Sequence, residues 1–578
     1  MDYKVNYDNW LSSPFLCAEG VKELNAIKSN EQEIEYSFGA ELEFGTAGMR
    51  GLIGYGTNKM NIYTVRRATQ GLAEYIKSLG SAEMKKGVAI SYDTRNKSEL
   101  FARTAAGVLL KNDIRVYIYG EPRPVPMLSY AVRKLGTVAG IMITASHNPK
   151  EYNGYKVYGE DGAQMSPEVT DEVVKYISSI TDYFSVFENE IKDIKSKSNP
   201  IDLIVIGKKL EKSYYKELIK LSLSRKAVKK VGKNIKIVYT PVHGTGYVPV
   251  TTVLKKLGIR AAVVEEQAKP DINFSTVEVP NPEFKETLSM GISLANKIKA
   301  DVVFGTDPDC DRLGVAIRND KGEFIGLSGN QTGILLLDYI LLRLKEENNL
   351  PENGVVIKSF VSTGMAKLIA DNYGVELIET PVGFKFIGEK IKQYEQDHSK
   401  TFIFGFEESC GYLRGTHSRD KDAVVASMLF AEMVCYYTSL GITIYGRLTE
   451  LYNKYGYVLD ATDSINFSGL RAMDEMNALV SKMREKKIDK IGIYNVSAVR
   501  DYIKGIKKFA NNDEKTLDIS GVNCVYYELE NGGFVCLRPS GTEPKLKIYY
   551  SIKAKDQAHA ISALAEMKTE FGKILSEN

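Results

Sequence analysis

Four short stretches of this chain carry side chains with chemical potential. Thr144-Ala-Ser-His-Asn-Pro149 follows the apolar run 138–143 directly. A serine hydroxyl there is fixed by the strand behind it and exposed by the Asn148-Pro149 turn, as a covalent carrier needs to be. Asp307-Pro-Asp-Cys-Asp-Arg312 holds three carboxylates at alternating positions. In a locally extended segment residues two apart share a face, and three hard oxygens aimed at one point suit Mg2+. The loop lacks the length, central glycine and final glutamate of an EF-hand, and bunched carboxylates repel one another without a cation. Phe406-Glu-Glu-Ser409 offers an acceptor at Glu407 and a hydroxyl at Ser409, a pair suited to two sugar hydroxyls. Arg538-Pro-Ser-Gly-Thr-Glu-Pro544 combines a guanidinium with small residues that let backbone N–H groups approach an anion. Lys156, Lys421 and Arg50 are candidate cations around these loops.

These loops recur at equivalent places in a repeated unit. Apolar strand runs at 87–92, 116–119 and 140–143 alternate with helical patterns, and the Ser146 loop follows the third strand. The same order returns with strands at 235–239, 261–264 and 301–304 ahead of Asp307. It returns again with strands at 355–358, 376–378 and 401–404 ahead of Glu407. Ligands of sheets with crossover helices bind just beyond the strand ends, so facing units would converge their tips on one cleft. The charged stretch 187–199 reads as a surface excursion or linker. From about residue 460 the strand runs 523–528, 533–537 and 547–550 and an amphipathic helix at 558–574 indicate a smaller α+β domain.

With 578 residues the chain is long enough for several domains. Its 76 Lys and Arg against 73 Asp and Glu give a net charge of +3, which argues against a nucleic-acid or membrane-surface partner. Six cysteines, none in a Cys-x-x-Cys pair, fit a reducing cytosol. No apolar run reaches bilayer-spanning length, and the first residues lack a signal-peptide core, so a cytoplasmic location is expected.

The four loops, in this order, resemble those of the α-D-phosphohexomutase superfamily of phosphoglucomutases and phosphomannomutases, and the likeness covers nearly the whole chain. The Gly45-Thr-Ala-Gly-Met-Arg50 entry, the segment 152–164 and the length are most similar to the longer branch that includes phosphopentomutases. The resemblance implies four domains around a central cleft: 1–208, 209–325 and 326–457, each α/β with a mixed sheet, and a smaller α+β domain at 458–578. It implies a phosphorylated Ser146 and Mg2+ held by Asp307, Asp309, Asp311 and the Ser146 phosphate. Arg50, His147, Lys156 and Lys421 would act as acid, base or charge stabiliser, with the two lysines as candidate bases because burial and cationic neighbours lower a lysine pKa. Sugar binding would fall to Arg312, Gly383, Lys385, Glu407 and Ser409, and the non-reacting phosphate to Arg538, Ser540, Gly541 and Thr542. The implied reaction moves a phosphoryl group between O1 and O6 of glucose, with mannose and pentose phosphates as alternatives. Glucose 1,6-bisphosphate would be intermediate and activator. The implied partner is a small sugar phosphate, with no nucleic acid or membrane, and a monomer or weak homodimer is expected. Pro308 and Cys310 stand where the family often has glycine, so a stiffer metal loop is expected. The Val382-Gly-Phe-Lys385 segment also departs from the commoner form.

Overall fold

The computed structural model describes residues 2–45, 48–468, 471–540 and 544–577. Its first sheet contains β1 (Met49–Leu52), β2 (Val88–Tyr92), β3 (Val116–Tyr119), β4 (Ala139–Ile143), β5 (Tyr152–Gly159) and β6 (Leu203–Ile206), in the order β1-β5-β4-β2-β3-β6. The second contains β7 (Ile237–Thr240), β8 (Ala261–Val263), β9 (Val302–Thr306), β10 (Leu313–Arg318) and β11 (Phe324–Leu327), in the order β11-β10-β9-β7-β8. The third contains β12 (Gly354–Ser359), β13 (Glu376–Thr380), β14 (Thr401–Glu407) and β15 (Gly411–Leu413), in the order β13-β12-β14-β15.

Each sheet repeats one core. β5-β4-β2-β3, β10-β9-β7-β8 and β15-β14-β12-β13 all place the unit's first strand beside its third in parallel, with an antiparallel return on the far side. The three-copy repeat read from the sequence is thus present as topology. β2, β4 and β9 are buried at every position. That is why they read as unbroken apolar runs: helices cover both sheet faces.

Four features go beyond the sequence reading. The segment 152–158, given no element in the sequence reading, lies in a strand, β5, that pairs with β4 from Ala139↔Gly159 to Ile143↔Tyr155. A sixth strand, β6, pairs with β3. The charged stretch 187–199 is tied down: Glu188 forms a bidentate ion pair with Arg66 (2.7 and 2.9 Å) and Asn189 N donates to Gly107 O. Three helices precede the first unit, Tyr3–Ser12, Ala18–Ile27 and Glu31–Phe38. They dock through Trp10, whose ring meets Phe38, Tyr63, Tyr183 and Phe184 at centroid distances of 5.2–5.6 Å.

The C-terminal sheet adds β16 (Tyr457–Asn466), β17 (Lys490–Ile491), β18 (Tyr494–Asp501), β19 (Ile506–Phe509), β20 (Glu514–Thr516), β21 (Val525–Leu529), β22 (Phe534–Pro539) and β23 (Lys545–Ala554). It runs β16-β23-β22-β21-β18-β19-β20, with β17 on β18, and the helix Gln557–Ser576 packs on it. An aromatic cluster seats this sheet on the third unit, with Phe360 and Tyr502 stacked at 4.3 Å. Among the described residues no single helix is long and apolar enough to cross a membrane. The apolar helix Ala423–Ser439 runs through the core, where nearly every side chain is buried.

Candidate active site

The three tips meet. Ser146 follows β4 and sits at φ 52°, a left-handed conformation that a non-glycine residue adopts only when its surroundings impose it. Thr144 Oγ1 accepts from Ser146 N (2.8 Å) and helps set that turn. The Ser146 hydroxyl is 2.9 Å from Asp307 Oδ2, crossing from the first unit to the second, and 3.2 Å from His147 Nδ1. Burial, reinforced by Arg312, Arg50, Lys547 and Lys156, pushes His147 well below its ordinary pKa. Its imidazole is therefore neutral at pH 7.

Asp307, Asp309 and Asp311 are all buried, each with an oxygen within 4.8 Å of the others. They converge through a turn rather than the expected extended segment: Cys310 N donates to Asp307 O (2.9 Å), and Cys310 takes φ 52°. That φ is also why glycine is easy to place at this position. Asp309 Oδ1 and Asp311 Oδ1 are buried and accept no hydrogen bond. Burial and the charges of Asp309 and Asp311 push Asp307 well above the usual carboxylate range. At Asp309 the same burial penalty is outweighed by Lys156, which holds the carboxyl below its usual range. Repelling, hard oxygen donors with acceptor capacity to spare fit Mg2+.

The cations bracket this cluster. Lys156 comes from β5, opposite Met142 of β4, and its Nζ lies 2.9 Å from Asp309 Oδ2 and 3.8 Å from Asp311 Oδ2. Lys421 precedes the helix Ala423–Ser439, whose N-cap Asp422 accepts from Val424 N (2.8 Å) and Val425 N (3.0 Å). Asp422 is itself held by Tyr214 OH (2.8 Å) and His417 Nε2 (2.7 Å), so the turn before it is fixed. Lys421 Nζ lies 3.0 Å from Asp311 Oδ2 and 3.5 Å from Asp420 Oδ1. The expectation that its pKa falls is overturned. Burial does push it down, but Asp311, Asp420 and Glu407 outweigh burial and hold the ammonium above its ordinary range. Asp420 was not singled out in the sequence. It is fixed by Tyr158 OH (2.9 Å) and Gln164 Nε2 (3.1 Å) from the first unit.

Arg312 lies within 4.0 Å of Asp307 and Asp311, pairs with Glu283, and bridges by backbone to Gly411 in the third unit. That bridge joins the metal-type turn to the Glu407 turn. Glu407 is buried and accepts from Gly383 N (2.7 Å), and Gly383 sits at φ 124°. Burial, partly offset by Lys421, raises the Glu407 pKa to about 7. Ser409 is half-buried on the same turn. Arg50 reaches the Ser146 loop, donating to Asn148 Oδ1 (3.0 Å). Lys385 is placed apart from the aspartates. Its ammonium lies over Phe386 in a cavity of about 850 Å3 between the 159–169 turn and the helix Phe384–Asp397, where Glu389 and Glu168 are the carboxylates it feels. The aspartate cluster does not line this cavity.

The fourth sheet supplies Arg538 on β22, against Tyr549 and in the field of Glu408. Ser540 N donates to Lys545 O (2.8 Å), while Gly541 and Thr542 lie outside the described residues. Lys547 of β23, read in the sequence only as the start of a strand run, is directly opposite Arg538. Opposed residues of an antiparallel pair share a face, and Lys547 feels Glu408, Glu283, Arg312 and Arg538. The strand run 547–550 was visible in the sequence, but the register that sets Lys547 beside Arg538 was not.

Ser146, the Asp307–Asp311 cluster and the Glu407 turn, each carried at the tip of one of three repeated α/β units, therefore meet at one place. The chain belongs to the phosphoglucomutase/phosphomannomutase family: its alpha/beta/alpha domain I, II and III models match residues 41–184, 212–322 and 328–455. A phosphoglucomutase of Staphylococcus haemolyticus is 37% identical over 524 residues, covering 90% of this chain and 91% of the relative. A Staphylococcus aureus phosphoglucomutase is 36% identical over 543 residues, 93% of this chain and 95% of the relative. Among solved structures, the Paramecium phosphoglucomutase parafusin in its open form superposes with a TM-score of 0.66 at 17% identity, covering 93% of this chain and 94% of that one. A phosphoglucomutase/phosphomannomutase family protein of Burkholderia thailandensis gives 0.65 at 16% identity, over 92% and 97%. These two likenesses are of fold.

Proposed function

We propose that this chain is a phosphoglucomutase, an isomerase that interconverts glucose 1-phosphate and glucose 6-phosphate through phosphorylated Ser146 and a glucose 1,6-bisphosphate intermediate. The observation that carries this reading is the 2.9 Å contact from Ser146 Oγ to Asp307 Oδ2, which joins the phosphate carrier to the acidic cluster. Asp307, Asp309 and Asp311 would hold Mg2+, with an oxygen of the serine-bound phosphate completing the set. The ion would supply charge neutralisation for the transferring phosphoryl group.

In the forward half, the Ser146 Oγ–P bond breaks as a bond forms from the free sugar hydroxyl to phosphorus; the hydroxyl gives up its proton and the departing Ser146 Oγ takes one up. In the return half, Ser146 Oγ bonds to the phosphorus of the other phosphate as the bond from that phosphorus to the sugar oxygen breaks; the departing sugar oxygen takes up a proton and Ser146 gives up its own. Neutral His147, with Nδ1 3.2 Å from Oγ, is the acceptor for that proton. Lys421, held charged, stabilises the transferring oxygens rather than acting as a base. Glu407 reads sugar hydroxyls, and Arg538 with Ser540, Gly541 and Thr542 holds whichever phosphate is not reacting. The intermediate turns round between the halves, and a separate C-terminal domain lets the cleft grip both orientations.

Two expected results follow from these roles. Arg538→Ala removes a charge-assisted contact worth about 1.5–3 kcal/mol and raises KM for the sugar phosphate about 10- to 100-fold, with a smaller fall in kcat. Steady-state kinetics with glucose 1-phosphate check this. Glu407 accepts from hydroxyls most strongly when ionised, with both oxygens as acceptors, and its pKa is about 7. As pH falls through 7 it takes up a proton, so KM should rise below pH 7 and flatten above it. In Glu407→Gln the rise should vanish; a wild-type KM independent of pH from 6 to 8 would remove Glu407 from sugar recognition. Parallel assays of glucose, mannose and ribose 1-phosphates test the substrate, with glucose expected to give the highest kcat/KM.

A further inference from the structure

In each α/β unit the loop after the first strand touches the chemistry-bearing loop after the third. After β2, Asp93 and Arg95 are nearly completely buried. Arg95 donates to Ser146 O, Asn148 O, Pro149 O and Tyr152 O, gathering four carbonyls of the serine turn. Asp93 anchors that fork: it lies 3.3 Å from Arg95 Nε and accepts from Thr144 Oγ1 (2.7 Å) and Ser98 Oγ (2.6 Å). After β7, Thr245 donates to Pro308 O from both N (2.8 Å) and Oγ1 (2.9 Å). The flanking glycines permit this approach, since a Cβ on Gly244 would fall 2.5 Å from Pro308 Cα and one on Gly246 would fall 2.9 Å from Cys310 Sγ. After β12, Ser362 Oγ accepts from Glu408 N (3.1 Å) and donates to Glu408 Oε2 (3.1 Å), while Ser359 Oγ donates to the same oxygen (2.8 Å).

The supported loops share a second feature. Each contains a non-glycine residue in the left-handed region: Ser146 at φ 52°, Cys310 at 52° and Cys410 at 63°. Such conformations persist only where neighbours over-determine them. A parallel neighbour strand ends at the same edge of its sheet as the strand it supports, so its loop is the nearest backbone available for the task.

We infer that the three first-strand loops are equivalent supports, and that Arg95, Thr245 and Ser362 are positioning residues, each for one component of phosphoryl transfer. The inference rests on the mutase reading for its kinetic signatures. Arg95 sets the serine, Thr245 the aspartate turn, and Ser362 the Glu407–Ser409 turn. None of the three needs to touch substrate. Each acts through hydrogen bonds to the backbone or to Glu408.

The signatures separate. Arg95→Lys keeps the charge but loses the fork that spans several carbonyls. It should lower kcat about 10- to 100-fold with KM and Mg2+ affinity near wild type; Asp93→Asn, which loosens only the anchor, should give the same pattern at smaller amplitude. Thr245→Val should weaken Mg2+ binding about 10-fold, in line with other groups that orient metal ligands, in calorimetric titration of the resting full-length protein with Mg2+ alone. Thr245→Ser, which keeps the hydroxyl, should restore it. Ser362→Ala should raise KM several-fold at nearly unchanged kcat, with Ser362→Thr restoring it. Three variants that lose all parameters in proportion to their thermal midpoints, or that lose none, would overturn the inference. A wild-type protein that does not isomerise glucose phosphates would instead overturn the mutase reading, and the Mg2+ titration of Thr245→Val would still decide that arm.

Discussion

Ser146→Ala should lower isomerisation by about 10^6-fold, the loss seen when a covalent nucleophile is removed while binding groups remain. The variant keeps Arg538, Lys547, Glu407 and the aspartates, so glucose 6-phosphate should still bind, with a Kd within a few-fold of wild type. The substitution is small, and the loop is held by Arg95 and Thr144 rather than by the Ser146 hydroxyl. Folding should therefore survive, which a thermal melt checks. Retained turnover in Ser146→Ala would take the serine out of the mechanism.

Asp309→Asn is the second large effect. It removes one charge from the acidic cluster and the partner of Lys156 at 2.9 Å. Loss of electrostatic stabilisation of this kind costs about 10^2- to 10^3-fold in kcat, and weaker Mg2+ binding adds to it at limiting metal. The rate should rise with added Mg2+ without reaching wild type. EDTA should abolish wild-type turnover, and excess Mg2+ should restore it. A wild-type rate unchanged in EDTA would contradict a metal role for Asp307, Asp309 and Asp311.

The sequence disclosed more of the fold than of the site. Strands buried on both faces leave continuous apolar runs, so β2, β4, β9 and β14 and the repeat they build were readable. β5 was not, because a strand of Tyr, Asn, Gly and Lys owes its place to pairing with β4 rather than to its own composition. The Ser146 and Asp307–Asp311 loops were legible because few residue types do their chemistry. Arg95 and Thr245 were not, because their partners are backbone carbonyls, which leave no mark in side-chain identity. Lys421 shows the remaining limit. Burial alone predicts a lowered pKa, and only the positions of Asp311, Asp420 and Glu407 reverse the sign.

The convergence of three units on one phosphate carrier is tested most directly by following the phosphoryl group itself. Wild-type protein is incubated with glucose 1,6-bisphosphate carrying 32P, stripped of free ligand, digested and mapped, and a parallel sample is chased with unlabelled glucose 1-phosphate. The label should lie on the peptide containing Ser146 and pass on chase into glucose 1,6-bisphosphate and then glucose 6-phosphate. Label on another residue, or label released as inorganic phosphate instead of entering sugar, would contradict the account.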